Sequence, residues 1–179
     1  MIIEIKKTSE LTKKEEDLMN KNKKKEWPKD YRIKSFKKEY PDSVFFFVKE
    51  GKEIVAFGTL RNLTLEYKKK KYYIFAICNI FTIKRGQGYG KVVISAIINY
   101  SMKHKKTAIG FCGRHNTKFY EKTGLNIEKN LLTKVVYKDP KTGKLKPERG
   151  DGLYYEGKDK LVSKLIKGKA PAYSDLYDW

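Results

Sequence analysis

The chain has 179 residues, a length suited to one domain. With 40% hydrophobic and 13% aromatic residues it can build a core, which excludes a wholly disordered chain despite 35% charged residues. The formal net charge of +20 favours anionic partners such as nucleic acid, acidic lipid or a phosphorylated small molecule, although a lysine-rich solvated surface accounts for the same excess.

No apolar stretch reaches the roughly 18 residues that span a membrane. The opening MIIEIKKTSE lacks the charged-then-apolar layout of a signal peptide, so a cytoplasmic protein with no membrane partner is expected. Cys78 and Cys112 lie in apolar runs and read as buried, reduced thiols. His104 and His115 are the only histidines, and no metal-ligand spacing appears, so no metal cofactor is expected.

Along the chain, MIIEIKK reads as a strand. Residues 8–27 read as a helix capped by Thr8 or Ser9, with Leu11, Leu18 and Met19 as a thin apolar stripe. WPKDYRIKSFKKEYP reads as a second helix with Ile33, Phe36 and Tyr40 on one face, stopped by Pro41. SVFFFVKEGKEIVAFGTL predicts two strands about a turn at Gly51, the second running on through RNLTLEY. After a lysine turn, YYIFAICNIFTI is apolar without alternation, which predicts a central strand buried on both faces. GKVVISAIINYSMKH reads as a helix, TAIGFCG as a buried strand and NTKFYEKTGL as a short helix ended by Gly124. LLTKVVY and GLYYEG read as strands on either side of a polar insertion, 138–151. KDKLVSKLIKG reads as a helix, followed by an aromatic tail; the stretch from about 158 to 179 extends a single domain covering 1–179. The order predicts an α+β fold with a mixed sheet.

The bend IKRGQGYGKVV stands between the most apolar strand and a helix. Its glycines Gly86, Gly88 and Gly90 admit a ligand to the unpaired N–H groups of a helix start, a cradle for phosphoryl oxygens, with Arg85 and Lys91 adding charge at the rim. Gly90-Lys91 is followed by Val92, so the P-loop pattern fails, and Gly86-Gln87-Gly88-Tyr89-Gly90 lacks Rossmann spacing.

RGQGYG fits Arg/Gln-x-x-Gly-x-Gly/Ala and resembles the acyl-CoA loop of the GNAT acetyltransferase superfamily. The strand before it, the helix after it, and a later helix with Asn116 four residues ahead of Tyr120 and Gly124-Leu125 at its end are similar to that family's layout. The resemblance covers residues 43–137 closely and the N-terminal elements loosely. It implies a GNAT-like acyl-CoA N-acyltransferase fold, a mostly antiparallel central sheet flanked by helices, with acetyl-CoA held between strands 72–83 and 107–113. The pantetheine arm would pair with backbone groups of Phe81, Thr82 and Ile83. The diphosphate would sit on the N–H groups of Gln87, Gly88, Tyr89, Gly90 and Lys91, while Asn116 and Phe119 contact the cofactor. Tyr120 would return a proton to the leaving thiolate as general acid.

The implied activity is N-acetylation of a primary amine, small molecule or protein, by direct attack on the thioester. Two features depart from the family pattern. The central strand carries no carboxylate to act as base, leaving Glu66, a water chain or the tail carboxylates of Asp175, Asp178 and Trp179 as candidates; and Ile83-Lys84 replaces the proline common before the loop. The lysine-rich acceptor side, helices 9–40 and insertion 138–151, disfavours a strongly cationic acceptor relative to a small amine or a neutral or acidic N-terminus. The rival readings are a basic nucleic-acid-binding protein and a catalytically silent GNAT-like CoA-binding domain. Weak nucleic-acid binding through the basic surface is also compatible with the enzyme. Tyr173, Tyr177 and Trp179 would cover the acceptor pocket or pack on a second copy as a homodimer.

Overall fold

The computed structural model describes residues 1–26, 28, 33–148 and 150–176. They form two compact units: Met1–Arg61 together with Cys78–Ile97, and Asn62–Ile77 together with the chain from Ile98 onward. The class is α+β, a mixed and mostly antiparallel sheet flanked by helices, as the order of elements predicts.

In the first unit, strand β1 (Ile2–Lys7) leads to a 3-10 turn at Thr8–Glu10 and then to helix α1 (Lys13–Glu26). The cap of α1 is Thr12, not Thr8 or Ser9. The Thr12 hydroxyl accepts from the Glu15 N–H at 3.3 Å, and the Glu15 carboxylate accepts from the Thr12 N–H at 2.9 Å. This reciprocal pair satisfies two orphan donors at once, an advantage that Thr8 and Ser9 lack. Thr8 is instead buried and donates its hydroxyl to the Tyr40 carbonyl at 2.6 Å. Glu15 also accepts from Lys6 Nζ at 2.7 Å, which ties α1 to β1.

The second predicted helix is shorter than expected. Among the described residues it is one turn, α2 (Phe36–Glu39), capped by Ser35, whose side chain accepts from the Lys38 N–H. Ile33, Phe36 and Tyr40 are all buried, so the spacing identified core residues, although Ile33 reaches the core from outside the helix. Residues 27 and 29–32 lie outside the described part. Strand β2 (Val44–Glu50) pairs antiparallel with β1 and with the first part of β3 (Glu53–Tyr67), Val44 opposite Leu60 and Glu50 opposite Glu53. Phe45, Phe47 and Phe57 meet Met19, Ile33, Phe36, Tyr40, Cys78 and Phe81 in one core. Burying each such ring contributes about 1.5–3 kcal/mol.

Strand β4 (Lys70–Thr82) is buried continuously from Ile74 to Cys78, as its lack of alternation predicts. Helix α3 (Tyr89–Lys103) follows and lies so close to β3 that a Cβ on Gly58 would come within 2.6 Å of Val93 Cγ1 and 2.7 Å of Ile80 Cδ1. That close approach fixes the start of α3 against the sheet.

In the second unit, β3 passes into β4 through Lys68 and Lys69, with φ of 50° and 63°, the two positive values of a type I′ hairpin. Strand β5 (Ala108–Cys112) is parallel to β4, with Phe75 opposite Ala108 and Ala76 opposite Ile109. Then come α4 (Thr117–Glu121), β6 (Asn126–Glu128), α5 (Leu131–Lys134), β7 (Val135–Lys138), β8 (Leu145–Pro147), β9 (Asp151–Tyr155), α6 (Leu161–Lys167) and β10 (Ala172–Ser174). The strand order is β6-β9-β5-β4-β3-β10-β7-β8.

Three expectations change here. The first half of LLTKVVY is the turn α5, where the Asn130 carbonyl accepts from Thr133, and only the second half is strand. The polar insertion contains β8, which closes a hairpin on β7. The aromatic tail contributes β10, parallel to β7 and antiparallel to β3. Helix α6 starts at Leu161 because Asp159 accepts from the Leu161 N–H at 3.0 Å and from the Thr107 hydroxyl at 2.5 Å. Leu63, Leu65, Ile74, Ile109, Leu131, Val135, Leu161, Val162 and Leu165 form this unit's core.

No helix among the described residues is long and apolar enough to cross a membrane. Nor do the described residues contain a cluster of three or more His, Cys, Asp or Glu side chains that could hold a metal ion. Both cysteines are buried free thiols.

Candidate active site

The glycine bend forms an amide cradle. Gly86 and Gly88 have φ of 81° and 77°, values that an L side chain rarely adopts, and a Cβ on either would meet nothing within 4 Å. Both glycines are therefore required by backbone conformation, with open space in front of them. The Gly88 carbonyl starts α3 by accepting from the N–H groups of Lys91 at 3.0 Å and Val92 at 3.3 Å. Lys91 therefore does not offer a free amide, unlike the expectation that five successive N–H groups face a ligand. The N–H groups of Gln87, Gly88, Tyr89 and Gly90 have no hydrogen-bond acceptor among the described residues. Four unmatched donors at the start of a 15-residue helix suit an anion with several oxygens.

Side chains hold this bend in place. Tyr89 is buried and donates its hydroxyl to Glu50 Oε1 at 2.5 Å, pinning the first residue of α3 to the end of β2. That bond lowers the Glu50 carboxyl below the ordinary carboxylate range and raises the Tyr89 phenol. Lys84 bridges Glu53 at 2.8 Å and Glu50 at 3.4 Å. Arg85 is largely exposed and paired with Glu26 at 3.3 Å, so a bound anion would compete with Glu26 for it. No motif marks Glu50, which meets Tyr89 only because β2 brings it there.

Just past β4, the Ile83 N–H donates to the Val55 carbonyl at 2.9 Å, which also accepts from the Lys84 N–H at 3.4 Å. Alternation along a strand then turns the Thr82 amide to the other edge and the Phe81 amide back toward β3. Of the three residues expected to pair with a pantetheine arm, Ile83 spends its N–H on Val55, and Thr82 is the one that regular alternation leaves for a ligand. Asn79 interrupts the same strand with φ of 52°. A left-handed residue there re-aims the neighbouring amides, and asparagine tolerates the conformation better than the apolar residues around it.

The remaining predicted residues belong to the second unit. Tyr120, in α4, is half-buried, and its hydroxyl has no hydrogen-bond partner among the described residues. Burial, with a smaller contribution from Cys112, pushes its phenol up to about 12. Phe119 packs edge-on against it, with ring centroids 5.1 Å apart. Asn116 is exposed at the end of a 3-10 turn (Arg114–Asn116) and makes no side-chain cap bond to α4. Thr117 carries the polar contact there, donating to the buried Asp151 at 2.6 Å and lying 4.0 Å from Cys112 Sγ. Burial raises the Cys112 thiol, which disfavours a thiolate nucleophile. Glu66 is exposed on β3 opposite Tyr173 of β10, and its carboxylate makes no hydrogen bond to a described residue. Asp175 is occupied by the Thr64 N–H at 3.0 Å, and residues 177–179 lie outside the described part.

Comparison with known proteins bears on the family and the fold. The family model described as "Acetyltransferase (GNAT) family" matches residues 11–125, more than half of the chain. Among solved structures, Escherichia coli ElaA aligns with a TM-score of 0.60 at 15% identity, over 87% of this chain and 100% of that one. An acyl-CoA N-acyltransferase from Pseudomonas aeruginosa aligns with a TM-score of 0.56 at 11% identity, over 86% and 99%. The E. coli GNAT family N-acetyltransferase YhbS, solved in complex with CoA, aligns with a TM-score of 0.57 at 7% identity, over 96% and 88%. At these identities the solved structures establish the fold alone. A search of curated proteins finds no significant match. The extent of the family match, over the stretch that carries the cradle and Tyr120, establishes that the chain belongs to the GNAT acetyltransferase family.

Proposed function

We propose that the protein transfers an acetyl group from acetyl-CoA to a primary amine by direct attack. The supporting observation is the set of unmatched amides at Gln87, Gly88, Tyr89 and Gly90, which suits the diphosphate of CoA. Charge-assisted bonds from fixed N–H groups contribute about 1.5–3 kcal/mol each, so four of them suffice to anchor the carrier. Thr82 offers its amide to the pantetheine arm, and Arg85 adds its charge once released from Glu26.

The acceptor must attack as a neutral amine, whereas a free alkylammonium has a pKa of about 10. The carboxylate of the exposed Glu66 has no contact that ties it to this task, so that proton passes to solvent. Attack forms the C–N bond and places negative charge on the carbonyl oxygen, toward which amides re-aimed at Asn79 would donate. Cleavage of the C–S bond then releases the CoA thiolate, and Tyr120 supplies its proton; the acylated nitrogen sheds its extra proton to solvent, from which the phenolate is reprotonated. With a phenol at about 12, Tyr120 is protonated throughout the neutral range. Transfer to a thiolate of ordinary affinity, about 8.5, is uphill by roughly three units and becomes easier as the thiolate is itself desolvated.

Titration calorimetry with acetyl-CoA, followed by a thiol-release assay over a panel of amines, tests the reading. Binding near one equivalent and amine-dependent release of CoA are expected. Absence of heat with both acetyl-CoA and CoA would overturn it.

A further inference from the structure

A second cluster in the first unit stands apart from the cradle and is rich in donors. Tyr40, 8% exposed, is its centre. The Arg61 guanidinium lies over the Tyr40 ring with Cζ 4.4 Å from the centroid. Asn79 Nδ2 donates to the Tyr40 hydroxyl at 3.0 Å, and Lys23 Nζ donates to it at 3.5 Å. With two donors on its oxygen, the Tyr40 hydroxyl proton has no acceptor among the described residues.

Acceptors are scarce at this cluster. Arg61 spends one N–H on the Glu39 carbonyl at 2.8 Å and pairs with no carboxylate among the described residues. The nearby Glu39 carboxylate is committed elsewhere, accepting from the N–H groups of Lys34 at 2.7 Å and Ser35 at 3.1 Å. A half-buried guanidinium stacked on an aromatic ring, with a fork of donors left over, matches a carboxylate in geometry and charge.

The position along β4 connects this cluster to chemistry. From Asn79 to Lys84, where the bend to the cradle begins, the extended chain covers about 15 Å. That is the order of length of the pantetheine arm between diphosphate and thioester. Asn79 is also the residue whose left-handed backbone breaks the strand. An acceptor held by Arg61 beside Asn79 would thus meet the thioester at the far end of the arm.

Resting on the acetyl-CoA reading, we propose that the acceptor is an amine that also bears a carboxylate, bound through Arg61 with Tyr40, Asn79 and Lys23 around it. No atom of the carboxylate reacts; its role is to orient the amine.

The test compares matched acceptors: β-alanine against β-alaninamide, 4-aminobutyrate against 4-aminobutanamide, and phosphoethanolamine as a phosphate-bearing arm. Calorimetry with CoA alone is run first. The proposal expects the acid of each pair to be favoured about ten- to hundred-fold in kcat/KM. In Arg61→Gln this ratio should fall to about one, whatever happens to the absolute rates, and in Arg61→Lys, which keeps charge but loses the fork, it should be intermediate. A wild-type ratio near one for both pairs, inert acceptors included, overturns the proposal. So does a ratio that survives in a folded Arg61→Gln or, should that variant not fold, in Arg61→Lys. Preference for phosphoethanolamine over both acids replaces the carboxylate with a phosphate and overturns the class named here. Absence of CoA binding is a separate result, which removes the acetyl-CoA reading and this inference with it.

Discussion

Gly51 and Gly88 make a matched pair for testing the cradle. Both have left-handed backbones, with φ of 58° and 77°, and a Cβ on either meets nothing within 4 Å. Alanine at either position therefore costs the fold only the left-handed penalty, about 1–2 kcal/mol. For a domain of this size each kcal/mol corresponds to a fall of about 2–4 °C in Tm. The two variants should differ in binding. Gly51 turns the hairpin between β2 and β3, whereas Gly88 supplies one of the four unmatched amides, and a methyl group there adds bulk beside them. Losing one or two charge-assisted bonds there, at about 1.5–3 kcal/mol each, lowers CoA affinity by ten-fold to more than a thousand-fold. Calorimetry with CoA on Gly51→Ala, Gly88→Ala and the parent protein, with melting curves for each, makes the comparison. Equal loss of Tm with loss of CoA binding only in Gly88→Ala is expected. A Gly88→Ala protein that binds CoA within two-fold of the parent would refute the assignment of the diphosphate to these amides.

Other outcomes follow from the same geometry. Tyr120→Phe should lower kcat for acetyl transfer by about ten-fold or more while leaving acetyl-CoA affinity little changed, since general acids contribute about 10²–10⁴-fold and water replaces part of the role; stopped-flow thiol release separates the two quantities. Glu15→Gln should lower stability by about 1–3 kcal/mol in urea melts, because a buried group loses a charged partner, Lys6, and half of its capping pair. Burial opposes the Glu15 charge, but the Lys6 and Thr12 bonds outweigh it and depress its folded pKa. The contribution is therefore present above the unfolded carboxylate value and is lost as pH falls through the folded one, and Glu15→Gln should flatten that acid limb. Gly58→Ala should destabilise by about 1–3 kcal/mol, because its Cβ would come within 2.6 Å of Val93 Cγ1 and 2.7 Å of Ile80 Cδ1.

Much of the architecture was legible where a long pattern met a distinctive break. The unalternating run 72–83, the glycine bend and the helix after it survive nearly residue for residue, because burial on both faces and positive φ leave strong marks in composition. Short elements were not legible. Strands β6, β8 and β10 have three residues each and draw their stability from neighbours far along the chain. The valines of LLTKVVY concealed a helical turn. Thr12-Lys13-Lys14-Glu15 does carry the capping-box pattern, so the true start of α1 was readable.

At the site, the residue types of the cradle announced themselves, but the pairing of individual amides did not. That Lys91 and Ile83 spend their N–H groups on Gly88 and Val55 follows from local helix and sheet geometry. Glu50, Tyr40 and Arg61 enter through tertiary packing and left no motif. Asn79 left a faint one, a single amide side chain amid ten apolar neighbours and a threonine.

Amide chemical shifts recorded during a CoA titration test the central claim most directly. The account predicts that the N–H signals of Gln87, Gly88, Tyr89 and Gly90 move downfield together and saturate with the calorimetric Kd, while that of Lys91, already bonded to Gly88, moves less. Saturable CoA binding that leaves those four signals in place and shifts another region would contradict it.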